Sequence, residues 1–404
     1  MGFTTNLYLT FFAVMIFSTV LWLMVYYMNL DKISKDPEVK DYKDVTFLVP
    51  AYNEEGIVGK TIERLLELDY PENSFSIIAI NDGSEDGTLD ELKKFEDDIQ
   101  IIDKENTGKA DSMNVALESV DTEFVASMDA DSYPTKHYLK SVMGYLDDEE
   151  VYGVTPALKV CRDDTLAEKI QWAEYIYQIF LRKVFALFNV QYVMPGPGSV
   201  YKTKFLKETG GWDDSTLTED MEMGFRMMSK KHKIENSTNA EVMTDPPSNF
   251  RDLFNQRTRW YRGYVQNCVK YKSMIGRPSG GTLGVFLMPL NAVWIAMLMF
   301  FLLHTAYNLA GIAQGWVNTY LLLGYFPLDL SFSLQQIEFF HIFLVFFFSM
   351  GVGTVFLSLY TASEPVNITE KKINYLSFFI IYPYLFAMFW VAAFLDMVRS
   401  DRKW

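Results

Sequence analysis

The chain has 404 residues, of which half are hydrophobic and 16% aromatic, and its formal net charge is −15 at pH 7. This length favours two or three structural units over one small core. The acidic balance argues against nucleic acid as a partner, which would require a basic face, but not against a nucleotide whose charge is offset by a bound cation.

Charge is unevenly distributed along the chain. Residues 1–30 contain no Asp, Glu, Lys or Arg, residues 31–280 are strongly charged, and residues 283–397 are again apolar with few interruptions. This pattern predicts a soluble domain between membrane segments. We therefore expect an N-terminal transmembrane helix at 1–30, a cytoplasmic domain at 43–248, amphipathic interface helices at 249–282 and a transmembrane region at 283–397.

The first apolar segment, residues 7–30, is long enough to cross a bilayer core of about 30 Å as a helix. A signal peptide would need a basic start and a small-residue cleavage site, and this segment has neither. Because Lys32 and Lys35 follow the segment, the positive-inside rule places the downstream domain in the cytoplasm. We expect a multi-pass protein of the plasma membrane.

The C-terminal region contains three strong spanning candidates, at about 283–306, 339–361 and 374–395. A fourth candidate, at about 309–328, is uncharged but interrupted by two glycines and a proline. The basic residues near the C-terminus favour the fourth span, whereas two lysines at 371–372 oppose it. The expected number of C-terminal spans is therefore three or four.

Between the membrane segments the chain alternates strand and helix patterns. Strands are predicted at 45–50, 75–80, 101–102 and 124–128, and helices at 54–68, 88–95 and 109–118. This alternation implies a parallel sheet with helices on both faces, in which ligands bind at the carboxyl ends of the strands. A long helix is expected at 163–188 and an amphipathic interface helix at 249–272.

Polar turns follow the first two strands. Ala51, Tyr52 and Glu54 suit a nucleotide pocket because they bring an aromatic face and a carboxylate to a strand end; the alternative is a helix N-terminus capped by Asn53. Asp82 follows the second strand and could accept hydrogen bonds from a base or ribose, or belong to a glycine-rich turn. The sequence contains neither a dinucleotide fingerprint nor a phosphate-binding P-loop.

Asp129 and Asp131 close the strand predicted at 124–128. Two carboxylates two residues apart at the end of a buried strand can face a hard cation together. Mg²⁺ or Mn²⁺ takes oxygen ligands and usually keeps one or two carboxylates plus substrate phosphates. Such a metal would neutralise a leaving diphosphate. An ordinary acidic turn is the alternative.

Glu219 and Asp220 follow Thr218 and support two interpretations. In the first, Thr218 caps a helix and the two acids lie in its first turn. In the second, Asp220 is a general base that assists a weakly nucleophilic sugar hydroxyl by roughly 10²–10⁴-fold, and Glu219 belongs to the same catalytic pair.

The run Gln256-Arg257-Thr258-Arg259-Trp260 lies in the predicted amphipathic helix. Arg259 and Trp260 follow Gln256 by three and four residues, so the three share one helix face. That face offers an amide, a guanidinium for phosphate and a flat ring for a sugar. The alternative is an interfacial helix with an aromatic belt and snorkelling arginines.

Taken in order, these motifs resemble the family 2 processive glycosyltransferases, which include cellulose, chitin, hyaluronan and poly-N-acetylglucosamine synthases. The matching segments are 50–55, 82–84, 108–110, 129–131, 218–220 and 256–260. The resemblance covers about residues 43–272 and the flanking membrane segments. It implies an α/β nucleotide-sugar-binding domain of the glycosyltransferase A type, with a mostly parallel central sheet and flanking transmembrane helices.

The resemblance implies that Asp82 contacts the nucleotide base and that Lys109 lies near the uridine diphosphate. It assigns Asp129 to the diphosphate, and Asp129 with Asp131 to the metal. Residues 195–199 lie where the family has a loop that lines the acceptor site.

The resemblance likewise makes Asp220 the catalytic base. It assigns Gln256, Arg259 and Trp260 to a motif that holds the diphosphate and frames the acceptor.

We therefore expect a membrane-bound, processive, inverting glycosyltransferase that uses Mg²⁺ or Mn²⁺. It would transfer a sugar, with N-acetylglucosamine or glucose favoured, from a UDP-sugar to a growing β-linked polysaccharide. The spans could form a channel for the product, and membrane lipids are further partners. One alternative is a non-processive transferase with a lipid-linked acceptor, and another is a transport or binding protein on an inactive transferase fold.

Overall fold

The structure is a computed structural model that describes residues 3–325 and 339–399. An eight-stranded sheet forms the centre of the domain that follows the first apolar helix. The strands are β1 (Val45–Ala51), β2 (Phe75–Asp82), β3 (Gln100–Lys104), β4 (Phe124–Ser127), β5 (Ser132–Pro134), β6 (Val151–Val160), β7 (Val200–Lys202) and β8 (Lys233–Thr244).

The strand order in the sheet is β3-β2-β1-β4-β7-β6-β8-β5. The first four strands in this order run parallel to one another, as do β6 and β8. Strand β7 joins the two groups by antiparallel pairing on both sides, and β5 pairs antiparallel with β8 at the edge. The prediction of a mostly parallel sheet is confirmed.

Helices cover the sheet, and apolar helices precede and follow it in the chain. They are α1 (Phe3–Met28), α2 (Leu30–Ser34), α3 (Val58–Leu66), α4 (Thr88–Leu92), α5 (Lys109–Glu118), α6 (Tyr138–Met143), α7 (Leu166–Leu187), α8 (Thr203–Thr209), α9 (Glu219–Ser229), α10 (Phe250–Lys270), α11 (Met288–Leu323), α12 (Phe339–Thr361), α13 (Lys372–Ile380) and α14 (Tyr382–Arg399).

The central strands are largely apolar because both faces of the sheet are covered. On β1, Val45, Phe47 and Val49 are buried in the core on one face. Leu48 points the other way and packs with Ile78 of β2 in the second core. Burial on both faces favours continuous apolar runs over alternation, which is why these strands could be predicted.

The helix predicted at 54–68 is shorter than expected and begins at Val58. Asn53 and Gly56 have φ values of 56° and 78°, which are left-handed and unsuited to a helix. The backbone N–H of Asn53 donates to Ser84 Oγ at 3.0 Å, and that of Glu54 donates to Thr88 Oγ1 at 2.7 Å. Side chains of the loop after β2 and of the first residue of α4 therefore capture these donors, and Asn53 is not a helix cap.

Within residues 3–325 and 339–399, two helices are long and apolar enough to cross a membrane, or three if a bent pair is counted as one span. The first is Asn6–Met28 of α1, as predicted. The second, Leu283–Leu323, includes a π-helical turn at Leu283–Leu287 and then α11.

The structure corrects the prediction of separate spans at about 283–306 and 309–328, because one helix runs through both. Gly315 does not interrupt it, and the helix ends at Leu323, before Gly324 in the left-handed conformation. Residues 326–328 of the fourth predicted span lie outside the described residues. At 1.5 Å per residue, 41 residues extend about 60 Å, roughly twice the hydrocarbon core of a bilayer.

The span predicted at 374–395 is a pair of helices, α13 and α14, bent by 46°. The bend precedes Pro383, whose ring lacks an N–H and clashes with the preceding turn of a helix. Near the start of the pair, Lys371 Nζ lies 2.7 Å from Asp163 Oδ2, and near its end Asp396 Oδ2 lies 3.3 Å from Arg262 Nη1. Both ends of the pair therefore contact the α/β domain.

Candidate active site

The carboxyl ends of β2, β1 and β4 lie side by side at one edge of the sheet. Ala51 and Asp82 are the last residues of their strands, and Asp129 follows β4 by two residues. The predicted nucleotide and metal residues therefore share the sheet edge at which α/β proteins bind ligands.

An ion-pair cluster joins three predicted site residues from separate parts of the chain. Lys109 Nζ lies 2.6 Å from Asp129 Oδ1 and 3.2 Å from Glu219 Oε1. Burial alone would lower the pKa of Lys109, but the carboxylates of Asp129 and Glu219 hold it well above its usual value. The same attraction lowers the pKa of Glu219 against the effect of its own burial. The cluster is a fixed positive centre between two negative groups.

Asp220 lies beside this cluster in the first turn of α9. Burial raises the pKa of Asp220 to about 7, the neighbouring charge of Glu219 adds to the shift, and Lys109 opposes it. A general base works best when its pKa is near the operating pH, so Asp220 is suited to accept a proton at neutral pH.

Thr218 occupies the N-cap position of α9 and the two acids lie in its first turn, as the helix-capping alternative predicts, but its side chain makes no capping hydrogen bond and is engaged elsewhere. Thr218 Oγ1 accepts a hydrogen bond of 3.2 Å from Asn267 Nδ2 on α10, and Gln266 Oε1 accepts one of 2.9 Å from the backbone N–H of Leu217. These bonds fasten α10 to the segment that begins α9.

Asp82 is buried, with 4% of its surface exposed, and its carboxylate is already occupied. It accepts hydrogen bonds from Lys104 Nζ at 2.8 Å and from the backbone N–H groups of Thr107 and Gly108 at 3.0 and 2.9 Å. Since α5 begins at Lys109, these bonds fix the position of that lysine. The structure does not bring Asp82 into contact with the cluster around Lys109.

The carboxylates of Asp129 and Asp131 lie close enough to Glu54 to affect its pKa, and Asp129 affects that of Asp131. Burial, reinforced by Asp131 and Asp129, raises the pKa of Glu54 to about 7, and burial with Asp129 raises that of Asp131 to about 6. Accumulated negative charge of this kind is relieved by a cation, and these hard oxygen donors fit Mg²⁺ or Mn²⁺.

Among residues 3–325 and 339–399, no three His, Cys, Asp or Glu side chains are arranged to hold a metal by themselves.

Sequence reasoning missed Asp245, which lies next to this group. The antiparallel register pairs Ser132 with Thr244, so Asp245 is placed opposite Asp131 and contributes to its raised pKa. Tyr133 OH donates to Asp245 Oδ2 at 3.2 Å. Only the pairing of β5 with β8 reveals this neighbour, because the two aspartates are 114 positions apart in the sequence.

Tyr52 and Glu54 lie in the turn after β1, which is held in place by hydrogen bonds to the loop after β2. Glu85 N donates to Asn53 Oδ1 at 2.9 Å, so the two loops are bonded in both directions. The side chain of Tyr52 is 46% exposed at this edge, which leaves its ring open to a ligand.

The loop at 195–199 packs directly on the ion-pair cluster. A Cβ atom on Gly196 would lie 2.6 Å from Lys109 Nζ and 2.8 Å from Asp129 Oδ1, so a larger residue there would have to displace these two side chains. Ser127 Oγ donates to the Gly196 carbonyl at 2.7 Å and holds the loop against β4.

Helix α10 carries the predicted motif from Gln256 to Trp260. Arg259 is exposed, and its charge helps to lower the pKa of Glu219, which places the motif near the acids of α9. Gln256 and Trp260 are half-buried, and both contact Arg257, a residue to which sequence reasoning gave no role.

Residues 43–263, more than half of the chain, match the family described as "Glycosyltransferase like family 2". The chain belongs to this family. The match extends from just before β1 into α10, so it includes the ion-pair cluster and the motif of α10. The family 2 membership that the order of the motifs predicted is confirmed.

Curated relatives of this glycosyltransferase include two bacterial proteins. The probable glycosyltransferase YdaM of Bacillus subtilis (strain 168) is 26% identical over 264 residues, covering 61% of each chain. A poly-β-1,6-N-acetyl-D-glucosamine synthase of Staphylococcus epidermidis is 27% identical over 263 residues, covering 61% of this chain and 63% of the synthase. The chain therefore spans about three fifths of the length of these relatives.

A solved structure with a similar fold is the mannosyltransferase PcManGT from Pyrobaculum calidifontis, in complex with GDP-Man and Mn²⁺. It matches 96% of this chain and 98% of its own with a TM-score of 0.58 and 17% sequence identity. At this identity the likeness concerns the fold alone. The predicted fold class, an α/β transferase domain flanked by apolar helices, is confirmed.

Proposed function

We propose that this transferase is a membrane-bound, processive, inverting enzyme that adds a sugar from a UDP-sugar to a growing β-linked polysaccharide. The observation that carries the proposal is the cluster of Lys109, Asp129 and Glu219 beside Asp220. It combines a fixed cation for a departing diphosphate with a carboxylate that can take a proton at neutral pH.

Asp220 is the proposed base. As the acceptor hydroxyl attacks the anomeric carbon of the donor sugar, its proton passes to the Asp220 carboxylate. The new glycosidic bond forms on the face opposite the leaving group, the bond from the anomeric carbon to the diphosphate oxygen breaks, and UDP departs with that electron pair. Glu219 assists by raising the basicity of Asp220 and by holding Lys109.

Lys109 and the exposed guanidinium of Arg259 are the proposed cationic contacts of the diphosphate, since such groups stabilise charge that develops on a leaving group. Asp129 and Asp131 would hold the divalent metal, which when bound supplies Lewis-acid stabilisation of the diphosphate. Tyr52, Ala51, Glu54 and Asp82 would form the nucleotide side of the pocket.

The acceptor side is assigned to Gln256 and Trp260 of α10. A flat aromatic ring can support the sugar at the growing end of the chain, and an acceptor retained there is positioned for repeated addition. The identity to a poly-β-1,6-N-acetyl-D-glucosamine synthase supports polymer synthesis and makes UDP-N-acetylglucosamine the first donor to test.

We also propose that the catalytic domain lies on the cytoplasmic side of the plasma membrane. Lys32 and Lys35 follow α1, and the loop before α13 is tied to the domain through Lys371 and Asp163. The loop at 362–371 then lies on the same side as the domain.

The proposal is tested by supplying a panel of radiolabelled UDP-sugars to membranes that contain the protein, with Mg²⁺ or Mn²⁺. Label should enter a polymer from one donor, and a hydrolase specific for the β-linkage should release it. Asp220→Asn serves as the inactive control. Label that enters only single-addition products would contradict processivity, and equal turnover by the Asp220→Asn variant would contradict the catalytic site.

A further inference from the structure

Arg257 is the largest fully buried side chain of the described residues and lies in the middle of the motif of α10. Its Nε and Nη2 atoms donate to the two carboxylate oxygens of Glu174 on α7, at 3.0 and 2.8 Å. Glu174 is only 2% exposed. This is a bidentate pair, the geometry in which a planar guanidinium fixes direction as well as charge.

The same guanidinium contacts both residues that we assign to the acceptor side. Its Nη1 atom donates to Gln256 Oε1, and its central carbon lies 4.0 Å from the centroid of the Trp260 ring. Stacking on a ring and a side-chain hydrogen bond both depend on the planar fork of arginine, which lysine does not provide. One buried group therefore contacts both side chains to which the proposed function assigns the acceptor.

Glu174 is in turn held from two other directions. Its Oε1 atom accepts hydrogen bonds from Tyr382 OH on α14 at 3.0 Å and from Gln178 Nε2 on α7 at 3.2 Å. Tyr382 is the first residue after the bend between α13 and α14. The orientation of Arg257 is thus tied to the apolar helix pair as well as to the catalytic domain.

We propose that Arg257 is a positioning residue for transfer: anchored by Glu174, it holds the Gln256 amide and the Trp260 ring in the geometry that receives the acceptor. This inference rests on the proposed function, because it assumes that Gln256 and Trp260 contact substrate. Arg257 itself has no exposed surface and acts through its two neighbours.

The test compares Arg257→Lys with Arg251→Lys, an exposed position on the same helix. Both variants keep the positive charge, and only the first loses the bidentate pair and the stacking. We expect kcat/KM for transfer to fall about 10²-fold in Arg257→Lys, as for a reacting group displaced by about 1 Å, and to stay within about twofold in Arg251→Lys. The thermal unfolding midpoint in detergent identifies a variant that has lost its fold.

A second comparison separates positioning from general stability. In a Trp260→Phe background, Arg257→Lys should cause much less than its full loss, since the group that it orients is already altered. The inference would be overturned if the fold-losses in kcat/KM of the two single variants multiplied in the double variant. It would also be overturned if Arg257→Lys transferred sugar at the wild-type rate. If Arg257→Lys fails to fold, the test uses Tyr382→Phe instead, because that variant removes only one hydrogen bond to Glu174. It should lower kcat/KM for transfer by a smaller factor.

The two proposals fail in different ways. If Trp260→Phe and Gln256→Ala both transfer sugar as the wild type does, the acceptor assignment in the proposed function is wrong. If those variants are impaired while Arg257→Lys is not, only the positioning role is wrong.

Discussion

If Asp220 is the general base, its replacement with asparagine should slow sugar transfer. Asparagine keeps the shape of the side chain but cannot take a proton at this position. General base catalysis typically contributes roughly 10²–10⁴-fold, which corresponds to about 2.7–5.4 kcal/mol of transition-state stabilisation. We expect kcat/KM of Asp220→Asn to fall by an amount within this range at pH 8, where the wild-type carboxylate is ionised.

The structure also sets the pH dependence. Because burial and Glu219 raise the pKa of Asp220 to about 7, the active carboxylate form is lost as the pH falls through that value. With this pKa the ionised fraction is about 9% at pH 6 and about 91% at pH 8, so kcat/KM of the wild type should rise about tenfold between them. Glu219→Gln removes the neighbouring like charge, which lowers the pKa of Asp220, and should move this rise in kcat/KM toward lower pH.

The assay is the initial rate of sugar transfer at subsaturating donor and constant free Mn²⁺, measured from pH 5.5 to 8.5. In Asp220→Asn the residual rate should no longer show the increase around pH 7 that we attribute to ionisation of Asp220. A wild-type rate that is flat across this range, or an Asp220→Asn variant within a few-fold of the wild type at pH 8, would refute the assignment.

Three further predictions concern the metal, the acceptor loop and the membrane. Asp131→Asn removes one proposed metal ligand and should raise the Mn²⁺ concentration for half-maximal transfer by at least roughly tenfold, which is the typical effect of losing a group that only supports a metal ligand. An unchanged Mn²⁺ titration would contradict the role of Asp131. Gly196→Ala places a methyl group 2.6 Å from Lys109 Nζ and should lower kcat by about 10²-fold without a large change in the thermal midpoint, and a fully active variant would show that the loop has room. A single cysteine at Ser363, with Cys161 and Cys268 replaced by serine, should react with a membrane-impermeant maleimide only after cells are permeabilised; labelling of intact cells would place this loop on the outer side.

Much of the α/β domain could be predicted because its strands are buried on both faces and so appear as apolar runs. The helix at 109–118 was predicted with its observed bounds. The start of α3 was not, because the backbone donors of residues 53–56 are captured by side chains of the loop after β2 and of α4, which are about thirty residues away in the sequence.

The site was predicted as a set of residue types, but its connections depend on the fold. Nothing in the spacing of Lys109 and Glu219 indicates that they form an ion pair across 110 positions. Burial is equally hidden: Arg257 and Arg259 look alike in the motif, yet one is enclosed and the other exposed. The apolar helices were the least predictable part, because hydropathy does not report contacts such as that of Arg262 with Asp396.

The most direct test of the central claim is a pulse–chase experiment on the purified transferase in lipid. After a short pulse of radiolabelled UDP-N-acetylglucosamine, or of the donor found in the panel, excess unlabelled donor and a short oligosaccharide acceptor are added, and product length is measured. A processive enzyme with an intact site should carry the label into long, β-linked chains, and Asp220→Asn should give no polymer. Label that stays on short oligosaccharides after single additions, or polymer that forms equally in the Asp220→Asn variant, would contradict the account.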